Sequence, residues 1–370
     1  MISLELSYHD LIIPGDWTPM FRKIQNQNGV IMVLGKSDSG KTSLIKLLAA
    51  YLVRRNRKIA LIDLDIGQSI LGLPGTMGIG IVNRSNLKNG LVQVNHRSFF
   101  GATSPAKGID RFLEKAYRLY TVAHKENADV FLIDTTGLVM GSLGAYLKGN
   151  LIKRINPTAL IALQFEQELE PILTECEILP ALKIYRVKPY QRIIRKNWTE
   201  RKTRRKKQFE LYFQDAQLRD LDFSAIPIRD FNFDFDFGSK SSRAAQIFRQ
   251  FQREIISTKI VEKRTLMVLS PEPQYNPDKE LLSKIKDYFK VEHIVIIFPE
   301  WFQNLLISLT DTEGLSNGLG IIGNIDFKKK IMTTYLPISV SSKALAQIEL
   351  GMFRIRLDGT ELPYLEPEQY

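Results

Sequence analysis

Cysteine is almost missing from this chain: Cys176 stands alone among 370 residues. A single thiol forms no internal disulfide framework and supplies no multi-cysteine zinc site. Histidine is scarce as well, and His9, His96, His124 and His293 share no metal-ligand spacing. Each of the four suits an ordinary surface or core position. Apolar runs are short, the longest being segments such as Val30-Ile31-Met32-Val33-Leu34 and the stretch 293–299, far below the length needed to cross a bilayer. The opening Met1-Ile2-Ser3-Leu4-Glu5 has neither the basic residues nor the apolar stretch of a secretory signal, so a cytoplasmic protein is expected. Internal repeats and low-complexity tracts are lacking too. Acid is in short supply: 40 Asp and Glu face 51 Lys and Arg, a formal charge of +11.

That surplus has an address. Lys183, Arg186, Lys188, Arg192, Arg195, Lys196, Arg201, Lys202, Arg204, Arg205, Lys206, Lys207 and Arg219 are opposed in their segment only by Glu200, Glu210 and Asp215. Diffuse solubilising charge would be spread along the chain. A concentrated block favours a polyanionic partner. Hydrophobic content of 44% and charged content of 25% are otherwise those of a globular protein, and the length allows two or three domains.

What is present is led by Gly35-Lys36-Ser37-Asp38-Ser39-Gly40-Lys41-Thr42, which fits G-x-x-x-x-G-K-[ST]. A buried strand, 30–34, precedes it and a helix from Ser43 follows. A strand feeding a tight turn into a helix aims consecutive backbone N–H groups and the helix dipole at a polyphosphate. Residues 35–43 are therefore expected to cradle a nucleoside triphosphate, with Lys41 on its outer phosphates and the Thr42 hydroxyl on Mg²⁺. From 29 to about 164 apolar strand candidates (30–34, 58–63, 91–99, 130–133, 159–164) alternate with helix candidates (43–54, 108–125, 144–155). This predicts an α/β P-loop domain whose mainly parallel sheet is flanked by helices, with its ligands beyond the carboxyl ends of the strands. The expected division is an irregular lead-in over 1–28, the P-loop domain over 29–264, and a smaller β-rich α+β domain over 265–370.

Several further residues carry chemistry. Asp63 and Asp65 close the second core strand, where one carboxylate can orient a metal and the other can accept a proton from an attacking hydroxyl. Asp65 lies further out and is the candidate base. Asp134, after the apolar run 130–133, matches a Walker-B carboxylate for Mg²⁺, and Thr136-Gly137 behind it can approach the transferred group. Thr103 and Ser104 suit helix caps and equally suit donors to an acceptor phosphate or sugar. Arg201 and Arg205 share one face of a predicted helix over 198–213. They read either as a lid over a triphosphate or as part of a solvated basic stripe for polynucleotide. The alternation Phe231-Asn232-Phe233-Asp234-Phe235-Asp236-Phe237 has the period of a half-buried strand, although it could offer stacking faces. The Asn-Lys-x-Asp base-reading motif of guanine-specific GTPases is missing after the strand ending near Gln164.

Taken together, the loop 35–42, Asp63-Leu64-Asp65-Ile66-Gly67-Gln68, Gly101-Ala102-Thr103-Ser104-Pro105, and Thr136-Gly137-Leu138-Val139 with Gly141 and Gly144 resemble the polynucleotide 5′-hydroxyl kinase family. So does the arginine-bearing helix ending in Tyr212-Phe213. The resemblance covers roughly 29–214, and the glycine-rich tail with Gly318-Leu319-Gly320 and Ile325-Asp326 is similar to the family's C-terminal domain. It implies transfer of a γ-phosphate from ATP, or from GTP, to the 5′-hydroxyl of RNA, or of DNA. Asp65 would activate that hydroxyl, Lys41, Arg201 and Arg205 would neutralise charge, and Thr42, Asp63 and Asp134 would serve Mg²⁺. Gln68, Thr103, Ser104, Thr136 and Gly137 would line the acceptor groove. Two departures stand out: Leu138 replaces the tryptophan of many eukaryotic relatives, and their large N-terminal β domain is not found. A compact prokaryotic-type enzyme without an obligatory protein partner is expected. The alternatives are an RNA-processing factor using ATP or GTP as a structural or switch ligand, and a small-metabolite kinase, which would leave the basic block idle.

Overall fold

The computed structural model describes residues 3–5, 12–88, 91–177, 181–190, 197–229, 242–261, 264–341, 345–363 and 369–370. His9, the basic residues Arg192, Arg195 and Lys196, and the phenylalanine alternation lie outside them. The chain forms two compact units, Met1–Gln208 and Phe209–Tyr370.

The first unit is built on an eight-stranded sheet. Its elements in chain order are β1 (Ser3–Glu5), α1 (Thr18–Ile24), β2 (Gly29–Leu34), α2 (Lys41–Val53), β3 (Ile59–Asp63), β4 (Thr76–Val82), α3 (Arg84–Lys88), β5 (Leu91–Phe99), α4 (Ile109–His124), β6 (Val130–Asp134), α5 (Gly141–Ile155), β7 (Ala159–Leu163), α6 (Glu170–Cys176) and β8 (Lys183–Val187). The strand order is β1-β5-β4-β3-β6-β2-β7-β8. Strands β3, β6, β2, β7 and β8 run parallel, each reached through a crossover long enough to reverse the chain. The inner four, β3, β6, β2 and β7, read as nearly unbroken apolar runs because both faces are covered. Ile31 and Val33 of β2, Ile59 and Leu61 of β3, Val130 and Leu132 of β6 and Ala159 and Ile161 of β7 share one core with α1 and α2.

The flank beyond β3 differs from the sequence reading. The strand seen at 91–99 does not join the parallel set. It forms an antiparallel ladder with β4, which the reading missed, and β4 is antiparallel to β3. The link between β4 and β5 holds only the short α3, too little chain for a parallel crossover. The lead-in also proves structured. Ser3–Glu5 pairs with β5, and α1 buries Met20, Phe21 and Ile24 in the core. Pro19 lies in the first turn of α1, where a proline costs the helix nothing, so a turn signal turned out to mark a helix start.

Helix α7 (Trp198–Phe213) follows and holds the boundary between the units. The second unit therefore begins at Phe209, not near Arg264. Its physical reason is pairing: β9 (Gln217–Asp222) is an edge strand of a seven-stranded sheet. With it come β10 (Ile228–Arg229), α8 (Ser242–Gln250), β11 (Ser257–Val261), β12 (Thr265–Leu269), α9 (Lys279–Phe289), β13 (His293–Ile297), β14 (Leu305–Thr310), β15 (Ser316–Asp326), β16 (Ile331–Leu336), β17 (Gln347–Ile355) and β18 (Glu361–Leu362). The larger sheet runs β10-β17-β14-β15-β16-β9, and β11-β12-β13 form a second. No helix among the described residues is long and apolar enough to cross a membrane.

Helix α5 shows how tightly the first unit is assembled around the turn after β6. A Cβ on Gly144 would stand 2.4 Å from the carbonyl carbon of Val139 and 2.8 Å from its Cα. Helix propensity alone would make Gly144→Ala stabilising by ~1 kcal/mol. The close approach reverses that sign, and the expected outcome is a loss of ~1–3 kcal/mol from overpacking, read as a lower thermal midpoint by calorimetry. A raised midpoint would contradict the packing argument.

Candidate active site

Three parallel strands end at one level, and the site is assembled there. Asp63 at the end of β3 is in register with Asp134 at the end of β6, which is in register with Val33 of β2. Cross-links hold the ends together. Leu64 N–H donates to the Asp134 carbonyl at 2.9 Å, and the Thr135 hydroxyl donates to the Val33 carbonyl at 2.7 Å. The loop 35–40 leaves β2, and α2 begins at Lys41. Lys41 is 5% exposed, and its Nζ donates to the Lys36 carbonyl at 2.8 Å. Lys36 itself points aside to Glu168, 3.8 Å away.

An open cavity of about 650 Å³ lies over these strand ends, within the range of small-ligand sites. Ser37, Asp38, Gly40, Lys41, Thr42 and Ser43 line it from the loop and helix α2, and Asp65 and Gln68 from the turn after β3. Thr103 and Ser104 come from the turn after β5, Thr136 and Gly137 from the turn after β6, and Arg201 and Arg205 from α7. Ser104 acts as the expected cap, its Oγ accepting from Ala106 N–H at 3.3 Å, and it also lines the cavity. Gly35, Lys36, Ser39, Asp63 and Asp134 belong to the underlying frame and are not among the lining residues. Lys46, Leu138, Trp198 and Arg204 line the cavity without having been singled out as site residues. Trp198 is 68% exposed there. The basic density of 201–207 was the signal for Arg204, whereas nothing local marked Lys46 or Trp198.

The acidic residues divide their work differently from expectation. Asp65 Oδ1 accepts from Gly67 N–H at 3.1 Å and Gln68 N–H at 3.2 Å, which leaves Oδ2 for the cavity. Asp63, expected beside a metal, is fully buried and already committed. Its Oδ1 accepts from Asp65 N–H at 2.9 Å, and its Oδ2 accepts from the Ser69 hydroxyl at 2.7 Å, Ile70 N–H at 2.6 Å and Leu71 N–H at 3.1 Å. It braces the loop 65–71 and has little capacity left for a cation. Asp134 is the better metal candidate. Its Oδ2 accepts from the Thr42 hydroxyl at 2.7 Å, while its Oδ1 is buried with no hydrogen-bond partner. An orphaned carboxylate oxygen beside a threonine hydroxyl under a phosphate loop fits a divalent cation or its water.

Helix α7 rests on the loop that Asp63 braces. Arg204 Nη2 and Gln208 Nε2 donate to the Ser69 carbonyl at 3.4 Å and 3.3 Å. Arg201 pairs with Asp38 of the phosphate loop, and Arg205 is 9% exposed. Arg201 thus faces the phosphate loop, and both arginines line the cavity. Lys148 of α5 is the site's least legible member. It is fully buried, donates to the Thr136 carbonyl at 2.7 Å and to Thr136 Oγ1 at 3.1 Å, and looks in the sequence like one more helix lysine.

Burial raises the Asp134 carboxyl from 3.8 to about 7, with Asp63 adding to the rise and Lys41 opposing it. A carboxyl raised in the folded state costs stability once pH exceeds its unfolded value, and the whole cost is felt above the folded value. Asp134→Asn removes that cost, which is on the order of a few kcal/mol. Without nucleotide or divalent cation, the variant is expected to melt at least ~4 °C above the unaltered protein at pH 8. The gap should shrink as pH falls below about 7 and close only near the unfolded value of 3.8. An unchanged or lower midpoint at pH 8 would contradict this electrostatic reading.

Comparison with known proteins agrees with this geometry. Residues 35–215 match the family model described as mRNA cleavage and polyadenylation factor CLP1 P-loop. The polyribonucleotide 5′-hydroxyl-kinase of Methanocaldococcus jannaschii is 28% identical over 338 residues, covering 91% of this chain and 90% of that protein. The polyribonucleotide 5′-hydroxyl-kinase of Pyrococcus furiosus is 27% identical over 339 residues, 91% of each chain. The solved structure of a wild-type Clp1p–Pcf11p complex superposes with a TM-score of 0.59 at 15% identity, covering 90% of this chain and 77% of that one, a likeness of fold. Residues 35–215 thus match the CLP1-type P-loop family, and the chain over most of its length is similar to archaeal polyribonucleotide 5′-hydroxyl-kinases.

Proposed function

We propose that this protein transfers the γ-phosphate of a nucleoside triphosphate, ATP in the first instance, to the 5′-hydroxyl end of RNA. The single observation that carries the proposal is convergence on one cavity. Ser37, Asp38, Gly40, Lys41, Thr42, Ser43, Asp65 and the two arginines of α7 all line it, which supports a site where donor phosphates, a base and charge-neutralising groups would meet.

Each group has a task that the chemistry needs. The backbone of the loop and Lys41 hold the β- and γ-phosphates at the start of α2. Arg201 and Arg205 neutralise the charge that spreads over the oxygens in flight, an effect worth up to ~10³–10⁵ in rate for arginine fingers. Thr42 and Asp134 would hold Mg²⁺, which when bound shields the phosphate oxygens. Oδ2 of Asp65 takes the proton from the attacking 5′-hydroxyl, while Oδ1 stays tied to Gly67 and Gln68 N–H groups and fixes the aim. Thr103, Ser104, Gln68, Thr136 and Gly137 shape the acceptor side. The basic surface of α7, with Lys206 and Lys207 exposed, attracts the polynucleotide behind its 5′ end. Phosphoryl transfer needs little covalent help, so positioning and electrostatics suffice.

The test is transfer of labelled γ-phosphate to a 5′-hydroxyl oligoribonucleotide. Lys41→Ala should abolish it, and Asp65→Asn should lower kcat by ~10²–10⁴-fold, the usual contribution of a general base. Nucleotide should still bind the Asp65→Asn protein. Normal turnover by either variant would contradict the assignment of that residue. Tight nucleotide binding by the unaltered protein without any transfer would replace the kinase by a factor that uses the nucleotide as a structural ligand.

A further inference from the structure

Lys148 has no task in the scheme above, yet it occupies one of the costliest positions in the first unit. It is fully buried on the face of α5 that also buries Leu147, Leu151 and Ile152. A leucine or methionine would fill that place without desolvating a charge. The ammonium instead touches two neutral oxygens, the carbonyl and the hydroxyl of Thr136, at 2.7 Å and 3.1 Å. Burial and Lys41 draw its pKa down to about 7, with Asp65 and Asp134 opposing the fall. Its link to the cavity runs through Thr136, which lines it.

Both of its partners belong to one residue, and that residue has little room to move. Thr136 lines the cavity while only 4% exposed. Its neighbour Gly137 lies so close to the phosphate loop that a Cβ there would fall 2.2 Å from Ser37 Oγ and 2.5 Å from Ser37 N. The turn after β6 and the phosphate loop are therefore packed backbone to backbone. A hydroxyl that accepts from an ammonium must send its own proton elsewhere. For Thr136 the cavity is the open direction.

We propose that Lys148 is a positioning residue. By gripping the carbonyl and hydroxyl of Thr136, it fixes the turn against the phosphate loop and aims the Thr136 O–H as a donor at an anionic oxygen of the phosphoryl group in transit. The proposal rests on the kinase reading and deepens it. No bond to the substrate is formed by Lys148 itself.

A double-mutant cycle tests it, with kcat and KM measured for phosphate transfer by Lys148→Met, Thr136→Val and the double variant. Methionine fills the same volume without donating. Each single change should lower kcat about ten-fold or more, the scale of a hydrogen bond to a charged group. KM for the nucleotide should stay within about three-fold, because the loss falls on the transition state and not on ground-state binding. The double variant should lose no more than the worse single variant, since Lys148 acts through Thr136. A double loss that reaches the product of the two single losses would overturn the proposal, as would undiminished kcat in Lys148→Met. If Lys148→Met does not fold, Thr136→Val decides alone, and undiminished kcat there overturns the proposal. Absence of transfer by the unaltered protein would instead sink the kinase reading itself, so the two failures are distinguishable.

Discussion

The common level at which β3, β6 and β2 end is the constraint on which the site depends. Asp63, Asp134 and Val33 sit in register across three neighbouring parallel strands. The turns that follow them therefore open side by side, and each delivers one part: the phosphate loop, the carboxylate turn with Asp65, and the Thr136-Gly137 turn. A parallel sheet imposes this geometry because side-chain alternation and ladder register are inseparable. Shifting one strand by a single residue would turn its terminal carboxylate to the opposite face. The site therefore rests on the apolar runs that keep these strands paired, none of which lines the cavity.

Electrostatics sets the second constraint. Asp63 and Asp134 are both fully buried side by side, and burial raises Asp63 to about 6 and Asp134 to about 7. Lys41 and Lys148 bring positive charge to the same place. Such a cluster of buried charge costs stability. Asp63 resolves its share by accepting four hydrogen bonds from the loop 65–71. That loop in turn supports α7 through Arg204 and Gln208. One buried carboxylate thereby links the aim of Asp65 to the seating of the arginine helix.

Local patterns made much of this legible. The phosphate loop announces itself through glycine spacing between an apolar run and a helix. Helix α7 was read with its observed bounds because charge and apolar spacing agree across it. Asp65, Thr103, Ser104, Thr136 and Gly137 follow strand ends, and strand ends in such sheets face the ligand. What stayed hidden depends on pairing or on side-chain direction. The antiparallel direction of the β4–β5 flank is set by pairing with β3, which local composition does not display. Asp63 and Asp65 look alike in sequence, yet one is consumed by four donors and the other keeps an oxygen for the cavity. Lys148 carries no sign that its side chain turns inward. The division at Gln208 and Phe209 was missed because β9 reads as a polar segment until its partner β16 is known.

The central claim is that donor phosphate and acceptor hydroxyl are held face to face over the strand ends, with Asp65 as base and not as nucleophile. The most direct test uses a nucleoside triphosphate made chiral at its γ-phosphorus and an oligoribonucleotide ending in a 5′-hydroxyl. A single in-line displacement should place the phosphate on the 5′ end with inverted configuration at phosphorus. Retained configuration, which requires a phosphorylated protein intermediate, or label that never reaches the 5′ end, would contradict the account.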